Sequence, residues 1–236
     1  MSASTASAPS SCSICNETIT TNKYVTKCNH EYHIDCFFVF AQKEFEKNES
    51  VNCPLCKTEI DFDMLYAEYL KSIDFKDVEF IINNAADQSV FELANAKPTD
   101  IEKMLQTNFN SIAEIYSFVA NNNQNIKSIL NISSIEAIRA RSGHTIYGAS
   151  KAAIEALTKS SVLELKNIRS NALRLGLISR PDIKTSWPEG VSSWLSATPI
   201  ARMGEISDVI AAAEFLLFAP WITGEILTVD GGNSQN

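Results

Sequence analysis

Glycine is absent from the first 142 residues of this 236-residue chain, and cysteine is absent after position 56. The first absence excludes a glycine-rich phosphate loop anywhere in the N-terminal half, because such loops need residues without a Cβ. The second confines any thiol chemistry to one short segment. No apolar run approaches the roughly 18–20 residues that a membrane helix needs. Nor is there a cationic excess: the net charge of -8 offers no electrostatic footprint for nucleic acid or an anionic membrane. Met1 to Ser11 lacks the basic start and apolar stretch of a signal peptide and reads as a disordered tail. The expectation is a cytoplasmic or nuclear protein with reduced thiols.

What is present divides unevenly. All six cysteines lie between 12 and 56, and all eight glycines at 143 or later. Two units joined near residue 60 are expected. The domains would be a tail (1–11), a small metal-bound unit (12–57), a connecting segment or helix (58–77) and an α/β unit (78–236).

Cys12, Cys15, Cys28, His30, His33, Cys36, Cys53 and Cys56 read C-x2-C, then C-x-H-x2-H-x2-C, then C-x2-C. Zinc prefers tetrahedral Cys and His ligands, and a C-x2-C pair reaches one ion from a tight turn. The pattern resembles the RING finger family, in the variant whose fourth and fifth ligands are both histidine. The resemblance implies a cross-brace with two Zn2+: Cys12, Cys15, His33 and Cys36 on one ion, Cys28, His30, Cys53 and Cys56 on the other. All positions are filled, so the zinc is structural. The resemblance further implies ubiquitin-ligase function through a ubiquitin-conjugating enzyme. That enzyme would meet Ile14, Phe40, Pro54 and Leu55, with Lys57 as the cation that bridges to ubiquitin. The simpler alternative is that these apolar residues only fill a very small core.

From residue 78 strand and helix signals alternate: Val78–Ile82, 99–119, Ile129–Ile132, 145–165, 172–178, 207–218 and 224–229. Such alternation argues for a parallel α/β sheet. Thr99 to Glu102 reads as a capping box opening the first long helix, and Ser207 as the opening of the last.

Asn83-Asn84-Ala85-Ala86, Asn108, Ser134, Tyr147-x3-Lys151 and the Ile222–Gly232 stretch together resemble the short-chain dehydrogenase/reductase family. The resemblance implies a catalytic tetrad of Asn108, Ser134, Tyr147 and Lys151, and NAD(P) contacts from Asn83, Asn84, Lys151, Gly176 and Arg180. Tyr147 and Lys151 are four apart, on one helix face. An ammonium beside a phenol would lower the phenol pKa and fit Tyr147 for proton exchange with a carbonyl or alcohol oxygen. Departures from the family pattern are Leu175 for proline before Gly176, and Arg180 for a threonine. His144, one turn before Tyr147, reads as surface or site lining.

The fold class expected is a zinc-bound RING finger followed by a truncated Rossmann-like parallel sheet lacking the glycine-rich first βαβ unit. That truncation would leave the 78–82 strand at an edge, covered by the RING, by residues 61–73 or by another chain. The resemblance also implies homodimerisation through the helices at 99–119 and 145–165. The leading expectation is a ligase or ligase-like adaptor acting on an unknown protein substrate, with the second unit as a platform. The alternative is an NAD(P)-dependent oxidoreductase with an incomplete cofactor site.

Overall fold

The structure is a computed structural model. It describes residues 10–235 apart from 49, 62–63, 66–67, 70–71, 73–76 and 123–124. Residues 1–9 of the expected tail (1–11) and much of the 61–73 helix therefore lie outside the described residues; Ser10 and Ser11 are not tail but pair with the chain at Thr18 and Ile19. The chain forms two compact units, 1–74 and 75–236.

In the first unit, β1 (Lys23–Val25) pairs antiparallel with β2 (Glu31–His33). A helix follows at Ile34–Asn48, and β3 (Val51–Asn52) pairs with β4 (Glu59–Ile60). Phe37 is fully buried at the centre, its ring 4.6 Å from Tyr32 and 5.2 Å from Tyr24 between centroids. Among the described residues, Val51, Ile60 and Leu65 belong with it to a core of nine buried residues, two of them the cluster cysteines Cys12 and Cys53. So small a core leaves much of the folding free energy to bound metal.

The second unit holds a parallel sheet in the order β5-β6-β7-β8: Phe80–Asn83, Ser128–Ser134, Arg169–Leu175 and Ile226–Val229. β6 is buried along nearly its whole length, as a strand covered on both faces requires. One core layer contains Ile112, Tyr116, Ile129 and Ile154; the opposite layer contains Leu130, Leu173 and Leu216. The sheet is parallel as expected, and β5 is at one end of it.

Three local features differ from expectation. The first long helix is two α-helices, Pro98–Leu105 and Ser111–Asn121, joined by a π-helical turn at Gln106–Asn110. Its N-terminus also differs: Pro98 occupies the first helical position, and Asp100 rather than Glu102 accepts the N-cap N–H, from Lys97 at 3.3 Å. Proline is suited to that first position because its missing N–H would be unpaired there anyway. The last helix likewise runs Ile206–Phe218, with Asp208 accepting the Glu205 N–H at 2.7 Å, so Ser207 is not its cap.

Candidate functional site

Each unit carries its own candidate site. In the first, Cys12, Cys15, His33 and Cys36 gather in one cluster and Cys28, His30, Cys53 and Cys56 in another, ligand atoms within 4.8 Å of one another. Each C-x2-C pair closes a tight turn, with Asn16 N–H donating to the Cys12 carbonyl at 2.7 Å and Lys57 N–H to the Cys53 carbonyl at 2.9 Å. Asn16 and Lys57 adopt positive φ, 65° and 62°, which turns the chain back after the second cysteine. Asparagine tolerates that conformation well and lysine less so.

The donors fit zinc. His33 Nδ1 is 3.3 Å from Cys15 Sγ, and His30 Nδ1 is 3.4 Å from both Cys28 and Cys53 Sγ. A tetrahedron with Zn–S of ~2.3 Å and Zn–N of ~2.0 Å places S and N roughly 3.5 Å apart. Around the second cluster, the hydroxyls of Thr26, Tyr32 and Thr58 lie 3.0, 3.2 and 3.2 Å from Cys28, Cys53 and Cys56 Sγ. Nothing in the residue spacing signals these contacts, since Tyr32 reaches Cys53 from 21 positions away.

At the first unit's surface Leu55 is 54% exposed, and Ile14, Phe40 and Pro54 are half-buried. Phe40 also packs on the small core. Lys57 is exposed.

In the second unit a cavity of about 650 Å³ opens at the C-terminal ends of β6 and β7. Ser134, Tyr147, Lys151, Asn84, Gly176 and Arg180 all line it. Ser134 ends β6, and the Thr145–Ser161 helix carries Tyr147 and Lys151 on its buried face. A Cβ on Gly148 would stand 2.6 Å from the Glu136 carbonyl oxygen, so only glycine lets that helix approach so closely. Gly176 is needed for a similar reason: its Cβ would meet the Trp194 ring at 2.6 Å.

Asn108 and Asn83 lie behind the cavity wall. Asn108 is fully buried in the π turn, where its Nδ2 donates to Ser150 Oγ at 3.0 Å. Asn83 Nδ2 donates to Asn131 Oδ1 at 2.7 Å, and Asn131 continues to Tyr116 and Thr158.

Electrostatics differ from the expectation for Tyr147. Burial pushes its phenol pKa up, a hydrogen bond from Ser134 opposes this, and the Glu136 charge adds to the rise. Burial also lowers Lys151 from 10.5 to about 8. Its Nζ donates to the Ile132 carbonyl at 2.9 Å and is 5.7 Å from the Tyr147 ring centroid.

Sequence reasoning passed over Glu136, Arg141, Trp187 and Trp194, all in the cavity wall. His144 is also there and is buried, with Nδ1 2.8 Å from Glu136 Oε2. The glutamate two residues after Ser134 and the histidine three before Tyr147 were the available signals.

Comparison with known proteins agrees with both halves. The C3HC4-type zinc finger (RING finger) profile matches residues 12–56, and the enoyl-(acyl carrier protein) reductase profile matches 58–234. The chain belongs to the short-chain dehydrogenase/reductase family, behind a RING finger. Carbonyl reductase family member 4 of Danio rerio is 35% identical over 158 residues, covering 66% of this chain and 65% of that protein. A 3-oxoacyl-(acyl-carrier-protein) reductase of Chlamydia trachomatis is 32% identical, covering 72% and 71%. The chain thus spans about two thirds of the length of these reductases. Among solved structures, a 4-hydroxyisoleucine dehydrogenase mutant complexed with NADH and succinate superposes with TM-score 0.68 at 24% identity, covering 76% and 79%.

Relative to this family, one end of a nicotinamide dinucleotide fits the cavity: Asn84, Lys151 and Gly176 line it. The diphosphate end does not. Among the described residues the sheet begins at Phe80, and no glycine precedes Gly143 to form the phosphate loop.

Proposed function

We propose that this chain is a RING-type ubiquitin ligase whose reductase-like unit is a binding platform for partners. The observation that carries the reading is the apolar surface beside the metal clusters. A unit with so small a core still leaves Leu55 exposed and Ile14, Phe40 and Pro54 half-exposed. Exposed apolar groups on rigid turns suit a protein interface, and both clusters use every donor on structure rather than chemistry. Each cluster holds one zinc, giving two per chain. Lys57 supplies a cation next to the last ligand. The protein substrate is delivered by the second unit, which also self-associates through its helices at Ser111–Asn121 and Thr145–Ser161. Thiolate-zinc chemistry suits a reducing compartment, cytoplasm or nucleus. The direct test is calorimetric titration with a panel of ubiquitin-conjugating enzymes. Binding that Leu55→Ala weakens about tenfold or more supports the reading; no binding by zinc-loaded protein sinks it.

A second reading is carried by a different observation, the convergence of Ser134, Tyr147 and Lys151 on one cavity. In it the chain is an NAD(P)-dependent carbonyl or alcohol oxidoreductase. The dinucleotide would supply hydride; Tyr147 would exchange the proton, Ser134 would orient the substrate oxygen, and Asn108 would hold the helix behind them. Dinucleotide affinity separates the readings, because a turnover enzyme should bind NADH or NADPH well below ~1 mM.

A further inference from the structure

Among the described residues, β5 pairs with β6 alone, so one of its two sides carries backbone groups that meet no other strand. The Glu79 carbonyl accepts from the Lys127 N–H at 2.8 Å and from the Ser128 N–H at 3.4 Å, which fixes the alternation. Ile81 and Asn83 turn their N–H and C=O groups toward β6, and Phe80 and Ile82 turn theirs outward. Proteins usually blunt such an edge with lysine, proline or a bulge. Phe80–Asn83 has none of these, and only its shortness limits it.

The side chains beside this edge are apolar on both faces of the sheet. Ile82 is 52% exposed, and alternation puts it on the same face as Phe80. Phe80 packs on the layer of Leu130, Leu173 and Leu216, its ring edge-to-face with Phe218 at 5.1 Å. Phe218 is 64% exposed and Trp221 96%, and with Phe80 they line an open groove of about 910 Å³. Ile81 packs on the opposite layer, that of Ile112 and Ile129.

We propose that β5 is the seat of a second copy of this chain, the two β5 strands pairing antiparallel about a twofold axis. Strand β5 is itself what such an edge needs: extended, apolar, and with outward donors and acceptors still to pair. A twofold at Ile81 sets Phe80 opposite Ile82 of the second copy and the reverse, each pair exchanging both of its N–H···O=C bonds. This register alone pairs both outward-turned residues within the strand; a shift of about two residues leaves one of them opposite a residue beyond its end. Phe80 and Ile82 then pack across one face of the joint, and the two Ile81 side chains across the other. Glu79 comes opposite Asn83 of the second copy, so like charges do not meet, and it keeps Lys127 as its ion-pair partner. The two four-stranded sheets become one. So short a joint gives a modest, concentration-dependent dimer. It depends neither on the ligase reading nor on association through the Ser111–Asn121 and Thr145–Ser161 helices.

The test uses zinc-loaded full-length chain from about 1 to 200 µM, followed by amide exchange and by sedimentation. The Phe80 and Ile82 amides, which β6 does not protect, should exchange at least about tenfold more slowly at the highest concentration than at the lowest. Ile82→Lys should abolish that slowing and lower the mass at the highest concentration by about half. Leu93→Lys, at an equally exposed apolar side chain on the Leu93–Asn95 turn, should change neither. Circular dichroism of each variant confirms folding. Fast exchange of both amides at every concentration would overturn the proposal, because the edge is then open. Slow exchange at every concentration in a particle of monomer mass would also overturn it, moving the cover to a segment of the same chain. A mass indifferent to Ile82→Lys in a folded protein would overturn it as well, leaving any association to another surface.

Discussion

Asn108 and Asp87 exchange two hydrogen bonds: the Asp87 N–H donates to Asn108 Oδ1 at 2.6 Å, and Asn108 Nδ2 donates to the Asp87 carbonyl at 2.9 Å. One side chain thus satisfies both backbone groups of a residue in a loop with no ladder of its own. The same Nδ2 reaches Ser150, whose hydroxyl donates to the Tyr147 carbonyl at 2.7 Å. Loop, π turn and the Tyr147 helix are therefore joined through one buried amide. A π turn places Asn108 there, as such single-turn insertions often do at functional sites.

Asn108→Ala should leave the half-buried Asp87 N–H and carbonyl without their side-chain partner and take a donor from Ser150, which keeps its bond to the Tyr147 carbonyl. The expected cost is about 2–3 kcal/mol of unfolding free energy, the scale of buried groups stripped of their partners. Urea denaturation measures it, and hydrogen exchange at the Asp87 amide should accelerate beyond the global effect. Unchanged protection at Asp87 would show that the amide pair does not hold the loop.

Gly148→Ala should be harmful although alanine is the better helix former. The added methyl group meets a backbone carbonyl, which has no rotamer to move away. A loss of about 1–3 kcal/mol is expected, together with a shift in the Tyr147 ring signals by NMR. A stabilised variant would mean the helix is not pressed against Glu136.

Lys151 gives a pH dependence with a definite sign. Burial lowers its folded pKa from 10.5 to about 8, so between those values the unfolded chain binds the proton more tightly. Stability should therefore rise with pH from about 8 to 10.5 and be lost again as pH falls through that window. In Lys151→Met this slope should vanish. Parallel profiles of wild type and variant would contradict the burial assignment.

Zinc removal should separate the units. Chelation should unfold residues 12–56, whose small core around Phe37 includes the cluster cysteines Cys12 and Cys53, and leave the sheet of residues 75–236 intact. Metal analysis should find two zinc ions per chain. Cys53→Ser should lower this to one and broaden the Tyr32 signals, since Tyr32 hydrogen-bonds that thiol. Loss of near-ultraviolet signal from Trp187, Trp194 and Trp221 on chelation would show that the second unit also depends on metal.

The eight Cys and His ligands were legible from their types and order, and their division into two sets of four came from the family resemblance; the structure gathers the same two sets. The parallel sheet was legible too, since apolar runs such as Ile129–Ile132 alternate with helical segments. Strand ends were less so: β6 extends to Ser128 and Ser134, where serines break the apolar pattern. The π turn was invisible because its residues keep ordinary helical periodicity. The cavity wall was invisible for another reason: Arg141, Trp187 and Trp194 meet only through tertiary packing. The Tyr147 phenol differs from expectation because residue spacing supplies the neighbouring lysine but not the burial that raises the phenol pKa.

Ligase function is tested most directly by discharge of ubiquitin from charged conjugating enzymes in the presence of the zinc-loaded chain. Faster discharge from at least one enzyme of a small panel is predicted. Ile14→Ala and Leu55→Ala should return the rate to background, while Tyr147→Phe should leave it unchanged. No acceleration by folded, zinc-loaded protein, or acceleration indifferent to Ile14 and Leu55, would contradict the reading of this chain as a ligase.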